Sequence, residues 1–110
     1  METKESIKLL LSNNKNALYR GLITIYMMQT KRERAGGTSA NNGVGFTKYD
    51  ADVLSRIAEK VLWQEELTPK DQSLAKNKMM KYAGQLATLS NNGIKVQVDL
   101  FIKRFRNGEE

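Results

Sequence analysis

Six carboxylates, Asp50, Asp52, Glu59, Glu65, Glu66 and Asp71, crowd into one stretch of the chain and are the first groups to consider for acid–base or metal chemistry. General acid–base work needs two groups held in different environments around a shared substrate, and a metal needs ligands that share a face. The spacing gives neither. Asp50 and Asp71 fall where helices should begin, positions at which an acid complements the helix dipole. Asp52 and Arg56 form a favourable i,i+4 pair. The 110 residues contain no histidine and no cysteine. That excludes Ser-His and Cys-His nucleophiles, disulfides and the commonest transition-metal ligands. The expectation is a non-enzymatic protein with no cofactor and no metal.

The cations are the better candidates. Lys and Arg number 18 against 12 Asp and Glu, a net charge of +6, and a small domain this basic commonly meets a polyanion. On a helix starting near Thr68, 100° per residue gathers Lys70, Lys78 and Lys81 with Asn77 and Gln85, opposite Ala75, Met79, Tyr82 and Leu86. Lysines and amides on one face suit a phosphate backbone, although solvated helix faces carry lysine in most proteins. A second cluster, Lys31, Arg32 and Arg34, precedes Gly36-Gly37 and would form a basic lip. Trp63, the single tryptophan, projects away from the Leu54/Ile57/Val61 stripe on the side of Arg56 and Lys60. It could stack a base or anchor a partner; the competing reading packs it beneath the C-terminal tail or the loop. Gly43-Val44-Gly45 could turn backbone N–H groups toward an anion, but it lacks the lysine and hydroxyl ending of a phosphate-binding loop, and the preferred reading is that the glycines supply tight backbone turns. Gln29 falls on an apolar helix face, where an unpartnered amide costs roughly 1–3 kcal/mol. Backbone of the loop at 41–46 is its expected partner.

The elements that must position these residues are helical. Ile7, Leu9, Leu10 and Leu11 form a short first helix, closed by Ser12-Asn13-Asn14. A second runs from about Lys15 to Arg34, with Leu18, Tyr19, Leu22, Ile25 and Tyr26 at helical spacing. A polar loop over about 35–48, pegged by Val44 and Phe46, should fold back onto the helices. The third helix begins near Tyr49-Asp50, and its apolar face is Val53, Leu54, Ile57, Ala58 and Val61. It ends about Glu65-Glu66. Thr68 as cap with Pro69 at the first helical position starts a fourth, expected to run to about Ser90. The short connection makes helices three and four an antiparallel hairpin. Ile94, Val96 and Val98 alternate like a strand, whereas Leu100, Phe101, Ile102 and Phe105 suit a helix. Residues 106–110 should fray. The fold expectation is therefore mostly α, a small single-domain helical bundle with a helical hairpin and a short C-terminal strand or helix. No apolar run approaches the ~20 residues of a membrane span. With no export signal and no cysteine, a cytoplasmic location is expected.

Several short motifs occur in one order: Gln29-Thr30; Asn41-Asn42-Gly43-Val44-Gly45-Phe46; Asp50-Ala51; Leu54-Ser55; Leu67-Thr68-Pro69-Lys70; and Lys81-Tyr82-Ala83-Gly84-Gln85-Leu86. In that order they resemble a group of small uncharacterised proteins of bacteriophages and other mobile elements, over roughly residues 16–90. The resemblance implies a phage or plasmid accessory protein linked with DNA metabolism, and no particular activity. The family pattern has acids and alanine after Gln-Thr, where this chain has Lys31-Arg32-Glu33-Arg34. From charge and context together, the expected partner is nucleic acid, DNA above all, bound largely without sequence preference. The alternative is an inhibitor or adaptor acting on an acidic host protein. A third possibility is a homo-oligomer joined through Phe101 and Phe105.

Overall fold

The structure is a computed structural model that describes residues 2–34 and 45–108, with side chains described for 2–30 and 45–108. Among the described residues six α-helices follow in order: α1 (Lys4–Asn13), α2 (Lys15–Arg34), α3 (Ala51–Leu62), α4 (Pro69–Met79), α5 (Ala83–Asn91) and α6 (Lys95–Arg106), with a 3₁₀ turn at Met80–Tyr82 between α4 and α5. Among the described residues there is no strand.

Local chemistry sets the helix starts. Thr3 caps α1 through a reciprocal pair of bonds, Ser6 N–H to Thr3 Oγ1 at 3.1 Å and Thr3 N–H to Ser6 Oγ at 2.9 Å. Asn14 Oδ1 accepts from Ala17 N–H at 3.1 Å, so one polar residue separates α1 from α2. Thr68 Oγ1 accepts from Asp71 N–H at 3.1 Å, with Pro69 as the first helical residue of α4.

α2 is the central helix and packs against all five others. Every residue from Gly21 to Met27 is buried, so a helix read as amphipathic is enclosed on all sides over two turns. Gly21 marks the closest approach. A Cβ there would lie 3.1 Å from Leu86 Cδ1 and 3.3 Å from Leu11 Cδ2, so the missing side chain lets α1 and α5 close on α2. Thr24, buried in this stretch, satisfies its hydroxyl on Arg20 C=O at 2.7 Å.

α3 runs antiparallel to both α2 and α4. Phe46, just before α3, meets Gln29 near the end of α2, whereas Val61 lines a groove with Ile23. Asp50 at the start of α3 meets Lys78 at the end of α4, while Arg56 and Lys60 meet Asp71 at the start of α4. The expected hairpin is present. The fourth helix does not run unbroken to Ser90. It tightens at Met80–Tyr82, where Lys81 and Tyr82 reach back to Asp50, and α5 then leaves to pack on α1.

The alternating tail is helical. A lone strand would leave its backbone groups unpaired, whereas α6 buries Val98 and sets Phe101, Ile102 and Phe105 against the core. Arg106, expected to fray, ends α6 with its Nε–H on Leu62 C=O at 2.6 Å. Arg20 ties the other end of α6 to α2, bonding Asp99 at 2.7 Å and Lys95 C=O at 3.1 Å.

Candidate functional site

Asp50 is the most connected polar side chain described. It precedes the first residue of α3 but caps nothing; its carboxylate turns across the hairpin and is 1% exposed. Lys78 Nζ donates to Oδ1 at 3.1 Å, Tyr82 OH donates to Oδ2 at 2.7 Å, and Lys81 pairs with Oδ2. Burial works against ionisation of Asp50. The hydrogen bonds from Lys81, Tyr82 and Lys78 outweigh it and hold the carboxyl well below the usual carboxylate range. The bond to Asp50 raises Lys81, and burial raises the Tyr82 phenol.

The network continues into the end of the glycine-rich segment. Tyr82 OH accepts from Thr47 N–H at 2.9 Å. Gln85 grips Gly45 twice, its Oε1 accepting from N–H at 2.8 Å and its Nε2 donating to C=O at 3.3 Å. Gln29 Oε1 accepts from Phe46 N–H at 3.0 Å. That contact falls within the stretch of backbone expected to partner Gln29. The Phe46 ring is buried edge-on to Tyr82, centroids 5.5 Å apart. Gly45 sits at φ +94°, a conformation that glycine adopts without strain. Gln29, Gly45-Phe46, Asp50 and Lys81-Tyr82 with Gln85, scattered in sequence, thus form one clasp.

A second carboxylate fastens the opposite end of the hairpin. Asp71, in the first turn of α4, is buried and takes Lys60 Nζ at 3.2 Å and an Arg56 Nη at 3.5 Å. The Lys60 hydrogen bond is the main reason its carboxyl is lowered, with Arg56 adding to it. Each end of the hairpin therefore carries the same device: an acid at one helix start facing two cations near the end of the other.

This arrangement corrects the open basic stripe expected from the helical wheel. Lys78 and Lys81 converge on Asp50, and Arg56 and Lys60 on Asp71, so four cations taken for phosphate contacts are already paired. Gln85 is a loop clasp. Lys70 is exposed and without an acidic partner among the described residues. The side chains of Lys31, Arg32 and Arg34, and all of Asn42 and Gly43, lie outside the described residues. Trp63 contacts Phe105 of the tail, centroids 5.0 Å apart, and is 53% exposed, so the tail does not cover it. Phe101 and Phe105 do not form an open patch. Both rings are partly buried against Tyr26 at 6.1 and 6.5 Å, and the exposed apolar residues of α6 are Val96 and Leu100. Sequence reasoning missed Asp50 as a hub because its partners lie 28 to 32 residues away; a buried acid has no local signature.

Two grooves flank the start of α2. One, of about 390 Å³, lies between the α1–α2 junction and α4. Its polar lining is Ser12, Asn13, Asn14, Lys15, Gln72, Ser73 and Lys76, without a carboxylate. The other, of about 480 Å³, lies between α2, the end of α3 and α6, and shares Lys15 with the first. Among the described residues no three acidic side chains gather closely enough to hold a metal ion, and no helix is long and apolar enough to cross a membrane. Fold and site together define a small helical bundle, clasped by buried carboxylates, with one groove lined by amides and lysines and a second of mixed lining that share Lys15. No protein-family model, curated protein or solved structure matches the chain significantly.

Proposed function

We propose that this chain is a non-enzymatic accessory protein that binds nucleic acid, DNA in the first instance, mainly through its phosphates and without strong sequence preference. The observation that carries the reading is the carboxylate-free groove between the α1–α2 junction and α4. Lys15 and Lys76 line it together with amides and hydroxyls of Asn13, Asn14, Gln72 and Ser73. Cations with small hydrogen-bonding side chains are what a sugar–phosphate backbone engages, and such contacts position without reading bases. Lys70 adds charge at the start of α4, and Lys31, Arg32 and Arg34 add more through the sequence. The motif resemblance to phage and mobile-element proteins fits this role.

The test is fluorescence anisotropy of labelled oligonucleotides across a salt series. Affinity should fall steeply with salt, by a log–log slope of about −0.9 per phosphate contact on duplex DNA. A Lys70→Glu/Lys76→Glu variant should lose about two contacts' worth of that slope. No binding at low salt, or affinity indifferent to salt, overturns the proposal. Exposed Leu9, Val96 and Leu100 favour a second reading, a protein-binding adaptor for an acidic host partner. Recovery of one host protein after nuclease treatment, with no retained nucleic acid, would favour that reading.

A further inference from the structure

We infer that the groove between α2, the end of α3 and α6 seats one unstacked nucleotide of a single-stranded nucleic acid, with Trp63, the chain neighbour of its lining residue Gln64, as the stacking surface. The inference rests on the nucleic-acid reading above and names the form of ligand. Three observations independent of the phosphate groove carry it.

The first is the chemistry of the walls. Tyr19, Ile23, Val61 and Ile102 give the groove an apolar floor, and Lys15 and Arg106 supply cations. Its volume of about 480 Å³ falls within the range of small-ligand clefts. Arg106 uses Nε on Leu62 C=O, which fixes the guanidinium and leaves its terminal nitrogens for a phosphate. Glu65 and Glu66 stand in the same lining. A groove for phosphate alone would exclude them, whereas a nucleotide presents both an anion and, on cytosine or adenine, an exocyclic amine that a carboxylate accepts from.

The second is Trp63. A residue of this type is ordinarily well covered, yet it is 53% exposed while Phe105 supports one side of the ring at 5.0 Å. An indole held against Phe105 and half exposed offers aromatic surface on which a base can stack.

The third is the backbone beside it. Gln64 sits at φ 60°, the one non-glycine residue with positive φ among those described. Gln64 N–H to Val61 C=O at 3.0 Å and Glu65 N–H to Lys60 C=O at 2.8 Å close the helix as glycine usually does. Glycine would adopt this turn without the strain. Glutamine places an amide in the groove wall instead, with no hydrogen-bond partner among the described residues. Strain of this kind concentrates where a side chain is needed for binding. Lys15 lines both grooves, so a strand can pass its phosphates from one to the other.

Trp63 is the chain's single tryptophan, so its fluorescence reports the seat directly. It should be quenched by a short single-stranded oligonucleotide in step with the anisotropy of that oligonucleotide. Trp63→Ala should weaken single-strand binding roughly ten-fold, within the range of base–aromatic stacking, and duplex binding much less. Gln64→Gly should raise Tm by relieving the turn and yet weaken single-strand binding. Binding by anisotropy with unchanged tryptophan emission, and with both variants binding like the parent, overturns the seat and leaves the nucleic-acid reading intact. Absence of binding to either oligonucleotide at low salt overturns both.

Discussion

Replacing Asp50 by alanine removes the acceptor on which Lys78, Lys81 and Tyr82 converge. Tyr82 is 2% exposed, and exchanging Asp50 for the long bond to Thr47 Oγ1 at 3.4 Å costs roughly 1–3 kcal/mol. The two ammonium groups are less demanding. Their side chains are 34% and 51% exposed, so they can turn to water, and surface pairs of this kind add little. The gain from no longer burying a charge offsets part of this. A loss of about 2 kcal/mol follows, which for a domain of this size lowers Tm by roughly 8–12 °C. Asp50→Asn keeps an acceptor for Tyr82 and loses only the charge, so it should cost about half as much. Urea unfolding followed by far-ultraviolet circular dichroism reads these differences as shifts of the midpoint at constant slope. A loss below about 1 kcal/mol for Asp50→Ala, or an equal loss for Lys78→Ala, would refute the claim that a buried carboxylate fastens this end of the hairpin.

Gln29→Leu should destabilise by about 1–3 kcal/mol, because the buried Phe46 N–H loses its acceptor; a midpoint equal to the parent's would mean that the loop end has another anchor. Stability should also depend on pH at both extremes. Folding lowers the Asp50 and Asp71 carboxyls. Their contribution is therefore present above the unfolded value of about 4 and lost as pH falls below it. Lys81 and Tyr82 are raised, so their contribution is present below about pH 10 and lost as pH rises through the folded values. The urea midpoint measured across pH should form a plateau falling at both ends, and a midpoint unchanged in acid would contradict the carboxylate clasps.

Helix starts were legible because capping is local: Thr68-Pro69 and the Ser12-Asn13-Asn14 break carry their own chemistry within a turn. Gln29 was legible for a related reason. An amide on an apolar face must find a partner, and the adjoining loop was the nearest backbone. The tail was ambiguous since Ile94 to Phe105 satisfies two periodicities, and packing against Tyr26 and the core decides between them. The paired state of Lys78, Lys81, Arg56 and Lys60 was hidden. A helical wheel shows which residues share a face, not which acid from another helix meets them.

The sequence by itself determined the helical class, the number of breaks before residue 70 and an excess of positive charge, properties set by neighbours along the chain. Tertiary structure decided which of those charges remain open. Asp50 and Asp71 each cross the hairpin to pair with two cations, and the approach of α6 to the end of α3 sets Trp63 against Phe105. Those outcomes depend on distances between residues far apart in the chain, which only packing fixes.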